Sequence, residues 1–120
     1  MSYISSYKEL IVWQKSIILV KQIYNVTRLF PEEEKFGLTN QIRRSSVSIP
    51  SNIAEGYGRG SSKSYLQFLS VARGSLFELE TQLYIAKELR FISEENSQVI
   101  EGLIFEIGKM LNSLIVKLKK

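Results

Sequence analysis

The sequence contains no cysteine, no histidine and no aspartate, and only two prolines and one tryptophan among its 120 residues. Without cysteine there are neither disulfides nor thiolate metal sites. Without histidine and aspartate, every Ser-His-Asp or Cys-His arrangement is excluded, as are nearly all transition-metal centres built within one chain. The acidic residues are all glutamate, 12 in number. Glutamate alone can still act as an acid or base, or hold magnesium. Apolar runs are short, LIVW and IILV being the longest, far below the roughly 20 residues that span a bilayer. The opening MSYISSYKE has no charged-then-apolar signal pattern. A cytoplasmic protein with no cofactor and no membrane partner is therefore expected.

Against those 12 glutamates stand 16 lysines and arginines, for a net charge of +4 and a pI near 9.4. A basic protein is drawn to polyanions, although +4 on one subunit is modest and an oligomer would multiply it. At this length one domain is expected, large enough to bury a real core without staples.

After a loose lead-in over residues 1–6, periodicity predicts four helices at about 7–30, 33–57, 62–90 and 94–118. The fold class is thus all-α, an up-down-up-down antiparallel four-helix bundle, because short connections make successive helices antiparallel neighbours. In the first helix Leu10, Trp13, Ile17, Val20 and Tyr24 form a seam at three- and four-residue steps. A second set, Ile11, Val12, Ile18, Leu19, Ile23 and Val26, widens it beyond one core-facing stripe. Each helix of a lone four-helix bundle keeps an outer face, so part of this surface is expected to be covered by another subunit or, alternatively, by long loops. Pro31 ends that helix, and Glu32, Glu33 and Glu34 suit the first turn of the next, where carboxylates meet free amides. The third helix has its seam at Tyr65, Leu69, Ala72, Leu76, Leu79, Leu83 and Ala86. Ala72 and Gly74 should let a neighbouring backbone approach. The fourth is capped by Ser93, runs along Ile100, Ile104, Ile107, Leu111, Leu114 and Leu118, and ends in Lys117, Lys119 and Lys120.

The second helix is unusual. Besides its apolar set, Leu38, Ile42, Ile49 and Ile53, it carries Gln41, Arg44, Ser48, Asn52 and Glu55 in one line. Pro50 lies inside it, removing one backbone hydrogen bond, and predicts a kink. The segment then passes into Gly56-Tyr57-Gly58-Arg59-Gly60, read as a loop.

The YKELIVWQKS segment at 7–16, FGL at 36–38, QIRRSSVSIPSNIAEGYGR at 41–59 and FLSVARGSLFELETQL at 68–83 resemble the bacterial 23S rRNA intervening-sequence proteins. That family of small four-helix bundles is related to the accessory variability protein of diversity-generating retroelements. The resemblance covers nearly the whole chain and fails only at the last helix. It implies a bundle assembled as a ring-like homo-oligomer, a pentamer in relatives, with nucleic acid as the suspected partner.

Two groups of residues are candidate nucleic-acid-binding sites. In the loop, free glycine amides, the start of the third helix, Arg59 and Lys63 are the ingredients of a phosphate site, with Tyr57 available to stack on a base. No Gly-Lys-Ser or Gly-Lys-Thr triplet follows and no strand precedes the segment, so this is not an ATPase loop. The alternative is a plain connection between helices. The second group is Arg43, Arg44, Ser48, Asn52 and Glu55. Arginine grips phosphate and asparagine reads base edges. The competing reading is a structural polar network of Arg44, Ser48, Asn52 and Glu55, with Arg44 paired to Glu55, Glu78 or Glu80 and Arg43 turned to solvent. Trp13 on its seam reads as core, and the three clustered glutamates as a solvated cap rather than a metal site. The expected function is a non-enzymatic homo-oligomer that binds RNA or a ribonucleoprotein, mostly through phosphate. The alternative is a protein-interaction scaffold or accessory subunit, for example for a reverse transcriptase, with no direct nucleic-acid contact.

Overall fold

The computed structural model describes residues 6–120, so most of the expected lead-in lies outside the described residues. Four helices make up the fold: α1 (Ile11–Thr27), α2 (Leu38–Gly58), α3 (Ser62–Glu88) and α4 (Glu94–Lys119). No strand occurs among the described residues, and the chain is an all-α four-helix bundle. Each helix packs on two others, α1 on α2 and α4, and α3 on α2 and α4. Cross-helix pairs give the directions. Ser45 meets Gln82 while Arg59 lies over Phe68, so α2 and α3 run opposite ways. Arg73 reaching Asn112 and Lys87 reaching Glu94 place α4 against α3 in the same manner.

Helix ends follow local chemistry, and several differ from the periodicity. A short 3₁₀ turn, Tyr7–Glu9, precedes α1, because Leu10 is extended (ψ 125°) and interrupts the helix there. α2 does not begin at residue 33. Glu32–Glu34 form another 3₁₀ turn, and Gly37 (φ −106°, ψ −114°) leaves the helical region. The Glu34 carboxylate then accepts the Leu38 amide at 3.1 Å and starts α2; its charge acts at that amide rather than through a run of three helical carboxylates. Ser61 and Ser93 cap α3 and α4 by accepting the amides of Ser64 and Asn96. At the end of α3, Arg90 takes a left-handed backbone (φ 62°) and lets the Phe91 amide return to the Ala86 carbonyl at 2.8 Å. α2 continues helically through Pro50.

The core is aliphatic. Leu19, Ile23, Ile42, Ile49, Ile53, Leu69, Leu79, Ile100, Ile107 and Leu111 are all fully buried, each such side chain contributing roughly 1.5–3 kcal/mol by leaving water. For α2, α3 and α4 these are the residues expected from the spacing, with Ile115 buried in addition. In α1 the stripe is the other one. Val12, Leu19, Ile23 and Val26 are buried, whereas Trp13, Ile17 and Val20 are half-buried and Tyr24 is exposed. Both stripes satisfy a 3.6-residue period, and only the placement of α2 and α4 decides between them. Trp13 packs at the core's edge with its ring centroid 5.3 Å from that of Tyr7.

The close backbone approach is at Gly56, not Gly74. A Cβ on Gly56 would stand 2.7 Å from the Phe68 Cβ, while one on Gly74 would meet nothing within 4 Å. Small residues along the α2–α3 contact, including Ser45, Ser75 and Ala72, are buried and bring these two helices together.

Candidate nucleic-acid interface

The glycine-rich segment is shorter as a loop than its composition suggests. Gly56, Tyr57 and Gly58 belong to the last turn of α2, leaving Arg59, Gly60 and Ser61 as the connection. Gly56 stays helical because contact with α3 excludes any side chain there. Gly60 alone of these takes a positive φ, 79°. Tyr57 is half-buried and edge-on to Tyr65, with centroids 6.0 Å apart, so it is not a free stacking platform in a loop.

Arg59 is also engaged. Its Nε donates to the Glu55 carboxylate at 3.0 Å, and its guanidinium lies 5.0 Å from the Phe68 ring centroid. The expected Arg44–Glu55 pair is therefore absent; i,i+4 spacing on one helix puts Arg59 closer to Glu55 than Arg44 comes. Lys63 is exposed in the first turn of α3. Beneath the connection, Gly60, Ser61, Ser62 and Tyr65 border a cavity of about 190 Å³. The Tyr65 hydroxyl is buried without a hydrogen-bond partner, and burial, then the charge of nearby Tyr57, raises its pKa.

The arginine pair is reversed with respect to expectation. Arg43 is half-buried, its Nε donating to Thr27 Oγ1 at 2.9 Å and its guanidinium 4.6 Å from the Tyr24 centroid. It staples α2 to α1. Arg44 is the exposed one, at the mouth of a cleft between α2 and α3.

That cleft, about 440 Å³, is bordered by Asn40, Gln41, Arg44, Ser45, Ser48, Glu78 and Gln82. Ser45 Oγ donates to Gln82 Oε1 at 2.6 Å. One turn on, Ser48 Oγ and Ser75 Oγ share a hydrogen bond at 2.8 Å, and the Asn52 amide donates to the Ser48 carbonyl and hydroxyl. Ser48 thus joins α2 to α3 with Asn52 of its own helix bonded behind it, while Arg44 and Glu55 take no part. The partners on α3, Ser75 and Gln82, were missed from sequence. Their signal was present: Ser75, Glu78 and Gln82 step by three and four beside the apolar seam, mirroring the polar line of α2.

Charge is unevenly placed along the bundle, which is 48 Å in its long dimension. At one end meet the starts of α1 and α3 and the ends of α2 and α4. Tyr7 and Trp13 face Pro50 and Ala54 there, and Ile11 and Val12 share a groove with Met110, Leu114 and Lys117. This end carries Lys8, Arg59, Lys63, Lys117, Lys119 and Lys120 against Glu9 and Glu55, all exposed. The opposite end carries Glu32, Glu33, Glu34, Glu88, Glu94 and Glu95 with Arg28, Lys35, Lys87 and Arg90. There Lys87 bonds Glu94 at 3.1 Å, which raises its pKa. Basic surface is concentrated at one end.

With this geometry in view, the sequence matches the family model described as 23S rRNA-intervening sequence protein over residues 8–113. The chain belongs to this family. A solved structure from Bacteroides thetaiotaomicron, a protein of unknown function from the S23 ribosomal protein family, is similar at 30% identity. Its TM-score is 0.81, and the match covers 88% of this chain and 98% of that one. Comparison with curated proteins gives no match. The family's span takes in α1 to α3 and most of α4, with the polar α2–α3 cleft inside it. Lys117, Lys119 and Lys120 lie beyond it. Among the described residues no helix is long and apolar enough to cross a membrane.

Proposed function

We propose that this member of the 23S rRNA-intervening sequence family is a non-enzymatic, self-associating bundle that binds RNA through phosphate contacts at its basic end. The observation that carries the reading is the gathering of Lys8, Lys63, Lys117, Lys119 and Lys120 at one end of the bundle, with Arg59 beside them. Separated in sequence, they are brought together by the helix directions. Flexible lysines neutralise phosphate without reading bases, so affinity should depend steeply on salt and weakly on sequence. Of the residues first singled out, Lys63 and Arg59 belong to this surface, whereas Arg43 is committed to α1.

Self-association supplies the rest. Ile11, Ile18, Phe77, Tyr84, Phe105 and Val116 are exposed large apolar residues, Phe105 at 68%. Covering them with further copies, five in the assembly that the family resemblance implies, repeats the basic end and gains affinity by multivalency.

A filter-binding titration of single-stranded RNA against salt tests the reading. The log–log slope should be clearly negative and should fall by about one for each phosphate-contacting lysine removed. Lys117, Lys119 and Lys120 replaced together by alanine should therefore flatten it. A slope near zero in the unmodified protein overturns the proposal. Sedimentation at micromolar concentration tests assembly, and a monomer there overturns that part.

A further inference from the structure

We infer that the cleft between α2 and α3 is a binding site for a guanine base. This deepens the RNA reading by adding one base-specific contact, but the chemistry of the site can be tested without RNA.

The polar seam between α2 and α3 is closed at one level and open at the next. At the closed level Ser48, Ser75 and Asn52 satisfy one another. At the open level the groups converge on the cleft without doing so. Gln82 is 8% exposed, and its carbonyl oxygen takes the Ser45 proton at 2.6 Å. The Ser45 hydroxyl lies 2.9 Å from the Gln41 carbonyl as well; with the amide in this orientation its NH₂, carrying two donors, faces the cleft that Gln82 borders. Among the described residues no hydrogen bond from this NH₂ is formed. Arg44 and Glu78 border the same cleft without forming an ion pair with each other or with any other described residue. The Ser45 hydroxyl lies 3.4 Å from a Glu78 carboxylate oxygen, which places that carboxylate beside the Gln82 amide. Two amide donors, an exposed guanidinium and an exposed carboxylate are thus gathered around one cleft.

The ligand that joins them needs two adjacent donors for the carboxylate and neighbouring acceptors for the arginine and the amide. Guanine presents N1–H and N2–H side by side, with O6 and N7 next to them. A carboxylate accepts the first pair, and guanidinium or amide donors reach the second. Adenine offers an acceptor at N1, where the carboxylate would repel it. Uracil has one ring donor between two carbonyls, and cytosine sets its amine beside an acceptor nitrogen. Each of these sets an acceptor against the carboxylate where guanine sets a second donor, and that is the basis of discrimination. The space, about 440 Å³, suits a nucleoside.

The test titrates guanosine and adenosine, which lack phosphate and so bypass the lysine-rich end, into isotope-labelled protein followed by NMR. Saturable shifts of the Gln82 side-chain amide and the Arg44 Nε–H are expected with guanosine, and binding at least about 10-fold weaker with adenosine, within the range of a bidentate base contact. Glu78→Gln, a change at an exposed position, should weaken guanosine by a similar factor without altering the melting temperature. Absence of saturable shifts, equal binding of both nucleosides, or full guanosine affinity in Glu78→Gln overturns the inference. Single-stranded RNAs with and without one guanine separate the two readings. Salt-dependent binding without guanine preference removes the cleft and keeps the basic end. Guanosine binding with no salt-dependent RNA retention does the reverse.

Discussion

Replacing Gly56 by alanine should destabilise the protein, and the same replacement at Gly74 should stabilise it. Both glycines lie inside helices, α2 and α3. In an exposed helix interior, glycine-to-alanine gains about 0.5–1 kcal/mol because the unfolded chain loses freedom and the helix does not. At Gly74 nothing stands within 4 Å of the new methyl group, so that gain should appear in full. At Gly56 the methyl carbon would lie 2.7 Å from Phe68 Cβ and 3.2 Å from Tyr65 Cδ1. Phe68 Cβ is anchored directly to the backbone, so no rotamer change removes the clash and α3 itself must shift. Overpacking of this kind costs roughly 1–3 kcal/mol, and the rigid neighbour puts the cost in the upper part of that range. The net loss is then about 1–2 kcal/mol. For a domain of this size that lowers the melting temperature by about 4–8 °C, while Gly74→Ala raises it by about 2–4 °C. Thermal unfolding by circular dichroism, at one protein concentration because assembly contributes to stability, measures both. Equal melting temperatures for the two variants would refute the claim that α3 packs directly onto the backbone of α2 at Gly56.

Tyr65→Phe removes a buried hydroxyl without a partner, so stability at pH 7 should hold or rise by about 1 kcal/mol in urea melts. Because its folded pKa is raised above the usual 10.0, the unfolded chain releases this proton first. Wild-type stability should therefore fall as pH climbs past about 10, and the phenylalanine variant should lack that component. Leu19→Ala, at a fully buried position, should cost about 2–5 kcal/mol. Leu29→Ala, just beyond α1 at 76% exposure, should stay within about 0.5 kcal/mol of wild type in the same melts; similar losses at both sites would contradict the burial of Leu19.

The amino-acid sequence by itself determined the helices, their number and most of the buried residues of α2, α3 and α4, because there one apolar period largely coincides with one buried face; Ile115, read from spacing as outer surface, is buried instead. It also determined the family, through the residues around QIRRSSVSIPSNIAEGYGR, and excluded disulfides and thiolate, histidine or aspartate chemistry by composition. The tertiary structure alone decided three other things. It chose between two equally periodic stripes on α1, since burial depends on where the neighbouring helices lie. It set the roles of Arg43 and Arg44, adjacent residues separated by a turn of about 100°, sending one to Tyr24 and Thr27 and the other to the cleft. It also made a helical turn of Gly56-Tyr57-Gly58, because the missing side chain at Gly56 serves a helix contact rather than a flexible loop. Local spacing records which residues can share a helix face; which face is filled, and by what, is a property of the partners across the gap.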